Sequence, residues 1–229
     1  MYKYELHIHT KECDKVAQVG GAEIVNLYKN EGYDGVVVTD HYFSLFFDWF
    51  KNEMDVTDHT KIVDRYLKGY YAAKNEGEKV GITVLCGTEV RFDNCINDYL
   101  VYGLEEQDFY KLPLLNKLKD VSELVDVLPD YSVVVQAHPF RNRMVVDDPS
   151  PLFGIEGYNG GTERFRNDMA KYFARLYNKP LTSGSDFHNA NHLAKGGIAT
   201  EKRICTAQDL VSVLRSGEYS LIQDKEISC

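Results

Sequence analysis

Short apolar runs rich in β-branched residues recur along this chain, and longer stretches with helical spacing separate them. The runs at 4–9, 35–40, 82–92, 99–104, 132–138, 155–158 and 181–186 are expected to be strands. The stretches at 22–32, 57–76, 162–177 and 206–215 are expected to be helices, the last opened by Thr206 and Asp209 at the spacing of a capping box. This alternation predicts an α/β fold with mainly parallel strands. No internal repeat, low-complexity tract or Pro/Gly/Ser-rich linker interrupts it, so residues 1–229 are read as one domain.

One segment breaks the pattern. Residues 42–49 follow a strand end and carry Phe43, Leu45, Phe46, Phe47 and Trp49, too apolar for a solvated loop. Two readings stand: packing beneath a neighbouring helix, or an aromatic wall over a site at the strand ends.

Composition narrows the function classes. The hydrophobic share of 44% is ordinary for a globular protein. Nothing near about 18 consecutive apolar residues occurs, so no membrane partner is expected, and no signal peptide is visible. The five cysteines, Cys13, Cys86, Cys95, Cys205 and Cys229, are scattered and form no C-x-x-C pair. A disulfide framework is therefore not expected, and a cytoplasmic location is. The formal net charge of -9 argues against a nucleic-acid polymer as partner and suits a site that gathers cations.

The candidate chemistry lies at the strand ends. His7 and His9 are two apart on one predicted strand, so both side chains face one side. His41 follows the run at 36–40, and His138, before Pro139, ends the run at 133–137. Glu89 lies in the run at 84–90, and Asp186 and His188 follow the segment at 182–185. In a parallel α/β barrel the C-terminal strand ends share one mouth, so these side chains are expected to converge. Mixed imidazole and carboxylate ligands suit Zn, Mn or Fe better than Ca, and the candidates outnumber the ligands one ion needs. Two to three divalent ions sharing bridging carboxylates are expected. No Walker loop, G-x-G-x-x-G fingerprint or G-x-S-x-G elbow is present.

Several pieces in order resemble the polymerase-and-histidinol-phosphatase (PHP) family of metallo-phosphoesterases. They are His-Ile-His-Thr at 7–10, Thr-Asp-His at 39–41, Gly-Thr-Glu at 87–89, Ala-His-Pro-Phe-Arg at 137–141 and Gly-Ser-Asp-Phe-His at 184–188. The resemblance runs from His7 to about residue 197. It implies a distorted (β/α)7 TIM-like barrel and a trinuclear metal centre. In it His7, His9, Glu89 and Asp186 hold the first ion, and Glu89 bridges to a second that His138 also holds. His41 and His188 hold the third, with Asp14 at the place of a further ligand. Where the family commonly has a histidine opening the strand at 99–104, this chain has Asp98, which is expected to be the remaining ligand of the second ion.

Arg141 and Arg91 are the best candidates for gripping phosphate, because a guanidinium fork matches its oxygens; Arg143 and Arg164 are substitutes. Asp40 adjoins a ligand and is expected to orient His41 or a neighbour. His59 is expected to be exposed and structural, and His192 falls at the rim or behind a ligand. The expected reaction is hydrolysis of a small phosphate monoester, as in a histidinol phosphatase, by a hydroxide that the ions activate. The alternatives are a phosphodiesterase or nucleotide phosphatase, a catalytically silent PHP binding module, and an amidohydrolase-like barrel. Specificity is expected to lie in the loops at 42–49 and 144–153.

Overall fold

The computed structural model describes residues 1–224, and Cys229 lies outside them. The strand β1 (Tyr2–Ile8) leads into α1 (Gly21–Asn30), β2 (Gly35–Val38) and the short β3 (His41–Tyr42). Three helices follow, α2 (Ser44–Phe50), α3 (His59–Tyr66) and α4 (Lys68–Val80), then β4 (Thr83–Cys86), β5 (Thr88–Val90) and β6 (Tyr99–Tyr102). The helices α5 (Glu106–Phe109) and α6 (Val121–Val127) precede β7 (Val133–Gln136), β8 (Gly154–Asn159), α7 (Arg164–Leu176) and β9 (Leu181–Gly184). The chain closes with β10 (Gly196–Thr200), α8 (Ala207–Ser216) and β11 (Ser220–Gln223).

These strands form two sheets, one ordered β11-β10-β1-β2-β4 and the other β3-β5-β6-β7-β8-β9. The sheets meet along both flanks. On one side, Thr39 N donates to Ile8 O, Gly87 N to Val38 O and Glu89 N to Asp40 O. On the other, Phe187 N donates to His7 O and His9 N to Phe187 O. The mixed α/β class is as expected, whereas uniformly parallel pairing is not: β6 runs antiparallel to both β5 and β7, and β10 runs antiparallel to β1 and β11. The link from β5 to β6, residues 91–98, holds no helix, and a parallel partner would need a crossover of about a dozen residues or more.

Packing explains where the elements differ from their expected bounds. The run at 82–92 is two strands broken at Gly87, where a Cβ would sit 2.9 Å from Val37 Cγ1 and 3.0 Å from Val101 O. The stretch at 57–76 is two helices that change direction at Leu67, whose ψ of 2° leaves the helical range. The strands β10 and β11 escape a pattern search because the first is glycine-rich and the second short. A Cβ on Gly196 would collide with the backbone of Gly184, so only glycine lets these segments approach. The Thr206–Asp209 capping box is present at the start of α8.

Between the sheets lies an inner apolar cluster that includes Tyr4, Leu6, Val37, Leu85, Leu100, Tyr102, Val133 and Val135, and α8 packs Leu210, Val211 and Leu214 against it. Outside the sheets a larger cluster packs beneath the other helices. The aromatic segment at 42–49 contributes mostly to that outer cluster. Phe46 is fully buried in α2, with its ring 5.4 Å from that of Tyr66. The described cysteines are all free, and no helix of the described residues is long and apolar enough to cross a membrane.

Candidate metal centre

Six strands, β1, β3, β5, β6, β7 and β9, each deliver one or two polar side chains to a single buried cluster. His7 and His9 project from β1 and its end, His41 from β3, and Glu89 from β5. Asp98 immediately precedes β6, His138 follows β7, and Asp186 and His188 follow β9. Asp14 comes from the turn after β1, where Asp14 N donates to Thr10 O. These nine residues form four overlapping groups with ligand atoms within 4.8 Å of one another: His9, Asp14, His41 and His188; His7, His9 and Glu89; His7, His138 and Asp186; and Glu89, Asp98 and His138. All the side chains predicted as ligands are therefore brought together.

Glu89 stands at the centre. Its Oε2 lies 3.0 Å from His41 Nε2, 3.3 Å from His9 Nε2 and 3.4 Å from His7 Nε2, while Oε1 lies 3.0 Å from His138 Nε2. Asp186 Oδ1 lies 3.2 Å from His188 Nδ1, 3.4 Å from His9 Nε2 and 3.6 Å from His7 Nε2. His138 and Asp186 hold left-handed backbone, with φ of 29° and 51°. Non-glycine residues adopt that region at a cost of about 1–3 kcal/mol, which the surroundings must outweigh.

Those surroundings are themselves polar and buried. Glu156 on β8 accepts from His7 Nδ1 at 2.8 Å, from the backbone N of His138 at 2.9 Å and from Asn159 Nδ2 at 2.8 Å. Glu5 accepts from the backbone N of Leu6, His7 and Ser185 and from Tyr28 Oη. Asp40 orients a neighbour rather than His41: it accepts from Thr10 N at 2.6 Å and Thr10 Oγ1 at 2.8 Å, holding the turn that follows His9. Gly69 of α4 leaves room for this clasp, since a Cβ there would run into Thr10 Oγ1. Sequence reasoning missed Glu156, Glu5 and Asn159. The weak signal was a carboxylate within the otherwise apolar or small runs at 4–9 and 155–158.

Several buried polar atoms of the cluster remain without hydrogen-bond partners. His9 Nδ1, Glu89 Oε2, Asp186 Oδ1 and His138 Nδ1 all do, and the two carboxylate oxygens both face imidazole nitrogens. Buried polar atoms are rarely left so. A cation among them would give both carboxylate oxygens a partner, so the residues fit such a group.

Charge balance in the cluster is set by its neighbours. Burial alone would lower His41, but Glu89 and Asp14 outweigh it and push it up to about 10. His188 goes up to about 9, because Asp14 and Asp186 overcome the same burial effect. His9 is pushed down to about 4 by burial and by the charges of His41 and His188. Burial opposes the ionised form of Glu89, yet His7 and His41 hold it well below the usual carboxylate range. Asp40 is pushed up to about 7, chiefly by burial, with its bonds to Thr10 opposing the shift. Metal ligands must give up their protons, so adding Zn²⁺ or Mn²⁺ to metal-free protein at pH 8 should release up to about three protons per chain. They come from His41, His188 and His7, where the effect of burial is outweighed by the carboxylates of Glu156 and Glu89, which raise it well above its usual range. The sign for the metal-free fold follows from the raised values. The stability that His41 and His188 contribute is fully present below their unfolded value of about 6.5 and is lost as pH rises through about 9 to 10. Potentiometric titration and melting curves between pH 6 and pH 10 would check both, and metal binding without proton uptake by the buffer would contradict them.

The cluster reaches solvent through a few side chains. His41 and His188 are 11% and 17% exposed at their side chains, and Arg141 and Arg91 are 31% and 33% exposed. Arg141 is anchored by Asp186 and by Asn159 Oδ1 at 3.1 Å. Arg91 forks onto Asp98, with Nε to Oδ1 at 2.6 Å and Nη2 to Oδ2 at 2.5 Å. Phe43 walls the opening, its ring 4.8 Å from His41 and 5.7 Å from the Arg91 guanidinium. So the segment at 42–49 serves both readings: α2 is packing, and Phe43 lines the site. Arg143 is exposed, and Arg164 lies 3.8 Å from Asp168 on α7. His192 contacts Asp186 O through Nδ1 at 2.9 Å, behind the cluster. His59 is half-buried rather than exposed, because its Nε2 reaches Phe109 O at 3.2 Å.

Comparison with known proteins agrees with this geometry. A family model described as PHP-associated matches residues 164–219, and no curated protein matches the chain. The fold resembles a two-domain protein from Bacteroides vulgatus containing a predicted PHP-like metal-dependent phosphoesterase, with TM-score 0.71 and 17% identity over 97% of this chain. This chain spans 65% of the length of that protein. It also resembles an amidohydrolase from Chromobacterium violaceum with bound sulfate and no metal, at TM-score 0.60 and 12% identity over 99% of both chains. Endonuclease Q from Pyrococcus furiosus matches at TM-score 0.60 and 12% identity, over 96% of this chain and 57% of that one. At these identities the likeness is one of fold.

The endonuclease corrects one expectation. A structure of Endonuclease Q holds a 27-mer duplex substrate with an abasic lesion at its active site, so this fold accepts a nucleic-acid partner and the net charge of -9 does not exclude one. Net charge is a property of the whole surface, whereas a polyanion is met locally. The PHP-associated match at residues 164–219 and the PHP-like fold agree with the resemblance that the ordered motifs carry.

Proposed function

We propose that residues 1–229 act as one metal-dependent hydrolase domain whose substrate is a small phosphate monoester. Its two sheets work as a single distorted barrel, and two to three ions of Zn, Mn or Fe are held by His7, His9, Asp14, His41, Glu89, Asp98, His138, Asp186 and His188. The observation that carries this reading is the convergence of partnerless Glu89 Oε2 and Asp186 Oδ1 on a cluster of imidazoles beneath two arginines.

When bound, the ions supply a Lewis-acid clamp for phosphoryl oxygens and lower the pKa of water. The chain supplies the rest. Asp186 and Asn159 hold the Arg141 guanidinium in place before substrate arrives, ready for charge on the phosphoryl oxygens. Asp40 holds the Thr10 turn and so fixes the approach of His9 and Asp14. Phe43 presents an apolar wall to the leaving group.

The test is turnover of nitrophenyl phosphate against bis-nitrophenyl phosphate, with Mn²⁺ or Zn²⁺ present. Faster release from the monoester supports the reading, and preference for the diester overturns it. A second reading, cleavage of a phosphodiester in nucleic acid, is supported by the fold shared with Endonuclease Q. A duplex carrying an abasic lesion belongs in the same assay. Phosphate release also separates both from C–N bond cleavage.

A further inference from the structure

The two arginines at the mouth treat their carboxylates differently. Arg141 engages only Oδ2 of Asp186, and Oδ1 remains without a hydrogen-bond partner, turned toward His7, His9 and His188. Arg91 engages both oxygens of Asp98, which is 1% exposed. Asp98 Oδ2 also faces the corner of the cluster that it forms with Glu89 and His138, 3.8 Å from His138 Nε2. At that corner Glu89 Oε1 is already matched with His138 Nε2 at 3.0 Å. A guanidinium fork on a carboxylate is a strong, directional ion pair and carries the positive charge that a cation would bring.

We propose that Arg91 competes with the cation for Asp98, so that the chain holds two divalent ions firmly and a third, at Glu89, Asp98 and His138, weakly. The proposal rests on the metal-centre reading above. A third ion must share Asp98 with a fixed positive charge or displace it. The other groups face no guanidinium fork: Glu89 Oε2 and Asp186 Oδ1 are free of hydrogen bonds, and Asp14 is engaged by His41 and the backbone of Val16. The substitution of aspartate for the histidine expected at this place is what makes the fork possible, since a neutral imidazole offers a single acceptor nitrogen in place of two carboxylate oxygens.

The experiment titrates the metal-stripped full chain with Mn²⁺ and counts bound ions by the loss of the free Mn²⁺ spectrum. The wild type should bind two ions tightly and a third at least about tenfold more weakly, the scale on which neighbouring groups tune metal sites. Arg91→Met, which keeps the apolar stem, should tighten the third ion by about tenfold or more and leave the first two unchanged. Asp98→His should do the same with Arg91 still present, and it guards against a fold defect in the first variant. Three ions of equal affinity in the wild type would overturn the proposal while leaving the metal centre standing. So would a third ion that stays weak in Asp98→His. No ion bound at all would overturn the metal-centre reading itself.

Discussion

Replacing Glu89 by alanine should strip at least one ion from the protein and lower turnover by more than about 10³-fold, beyond the 10²–10³ that loss of one oxyanion-hole donor costs. Asp186→Ala should do the same. Glu89 reaches four imidazoles through its two oxygens, and Asp186 reaches three through one. No neighbouring carboxylate can take over either set of contacts, because Asp98 is held by Arg91 and Glu156 by His7, His138 and Asn159. Elemental analysis and phosphate release measure the two effects. Full turnover in either variant would dispose of the assigned site. Glu89→Gln keeps the volume and removes the charge, so it isolates electrostatics from packing. It should lose turnover almost as completely, because a neutral amide cannot balance His7 and His41.

The second large effect is expected at Glu156, which touches none of the cluster's open space. Its carboxylate accepts from His7 Nδ1, which leaves Nε2 as the His7 nitrogen directed at Glu89 and Asp186. Its other oxygen accepts from the backbone of His138, where φ is 29° and a bond is needed to hold the left-handed turn. Glu156→Ala should weaken metal binding by about 10- to 100-fold. Leaving the His138 N–H and the Asn159 amide without their acceptor should also cost about 1–3 kcal/mol in a denaturant melt. Glu156→Gln keeps one acceptor oxygen and should recover part of the stability but not the fixed His7 tautomer. Nitrogen chemical shifts of the His7 ring would report that tautomer directly. An unchanged tautomer and unchanged metal affinity in Glu156→Ala would show that the residue is only structural.

Much of the site could be read along the chain. Strand periodicity puts His7 and His9 on one face, and a strand end before Pro139 explains where His138 must stop. The motif order then linked Glu89, Asp186 and His188 to them. What could not be read are the partners that hold these groups. Glu156 meets His7 across 149 positions of sequence, and Ser185 meets Glu5 across 180. Locally, only the apolar or small neighbours of such carboxylates set them apart from solvated ones. The nearer case of Arg91 and Asp98 was equally hidden. Their spacing allows Arg91 to face a substrate or to fold back, and the loop at 91–98 brings it onto Asp98.

Sequence alone therefore determined the α/β class, seven candidate ligands at strand ends and the expectation of several cations, because those follow from periodicity and donor chemistry; Asp14 and Asp98 were implied only by the family resemblance. Tertiary structure decided the division into two sheets, the antiparallel run through β6, the burial of α2 with Phe43 at the mouth, and the pairing of Arg91 with Asp98. These are outcomes of long-range packing and of competition among charges brought within 4 Å, and no local pattern encodes which competitor wins.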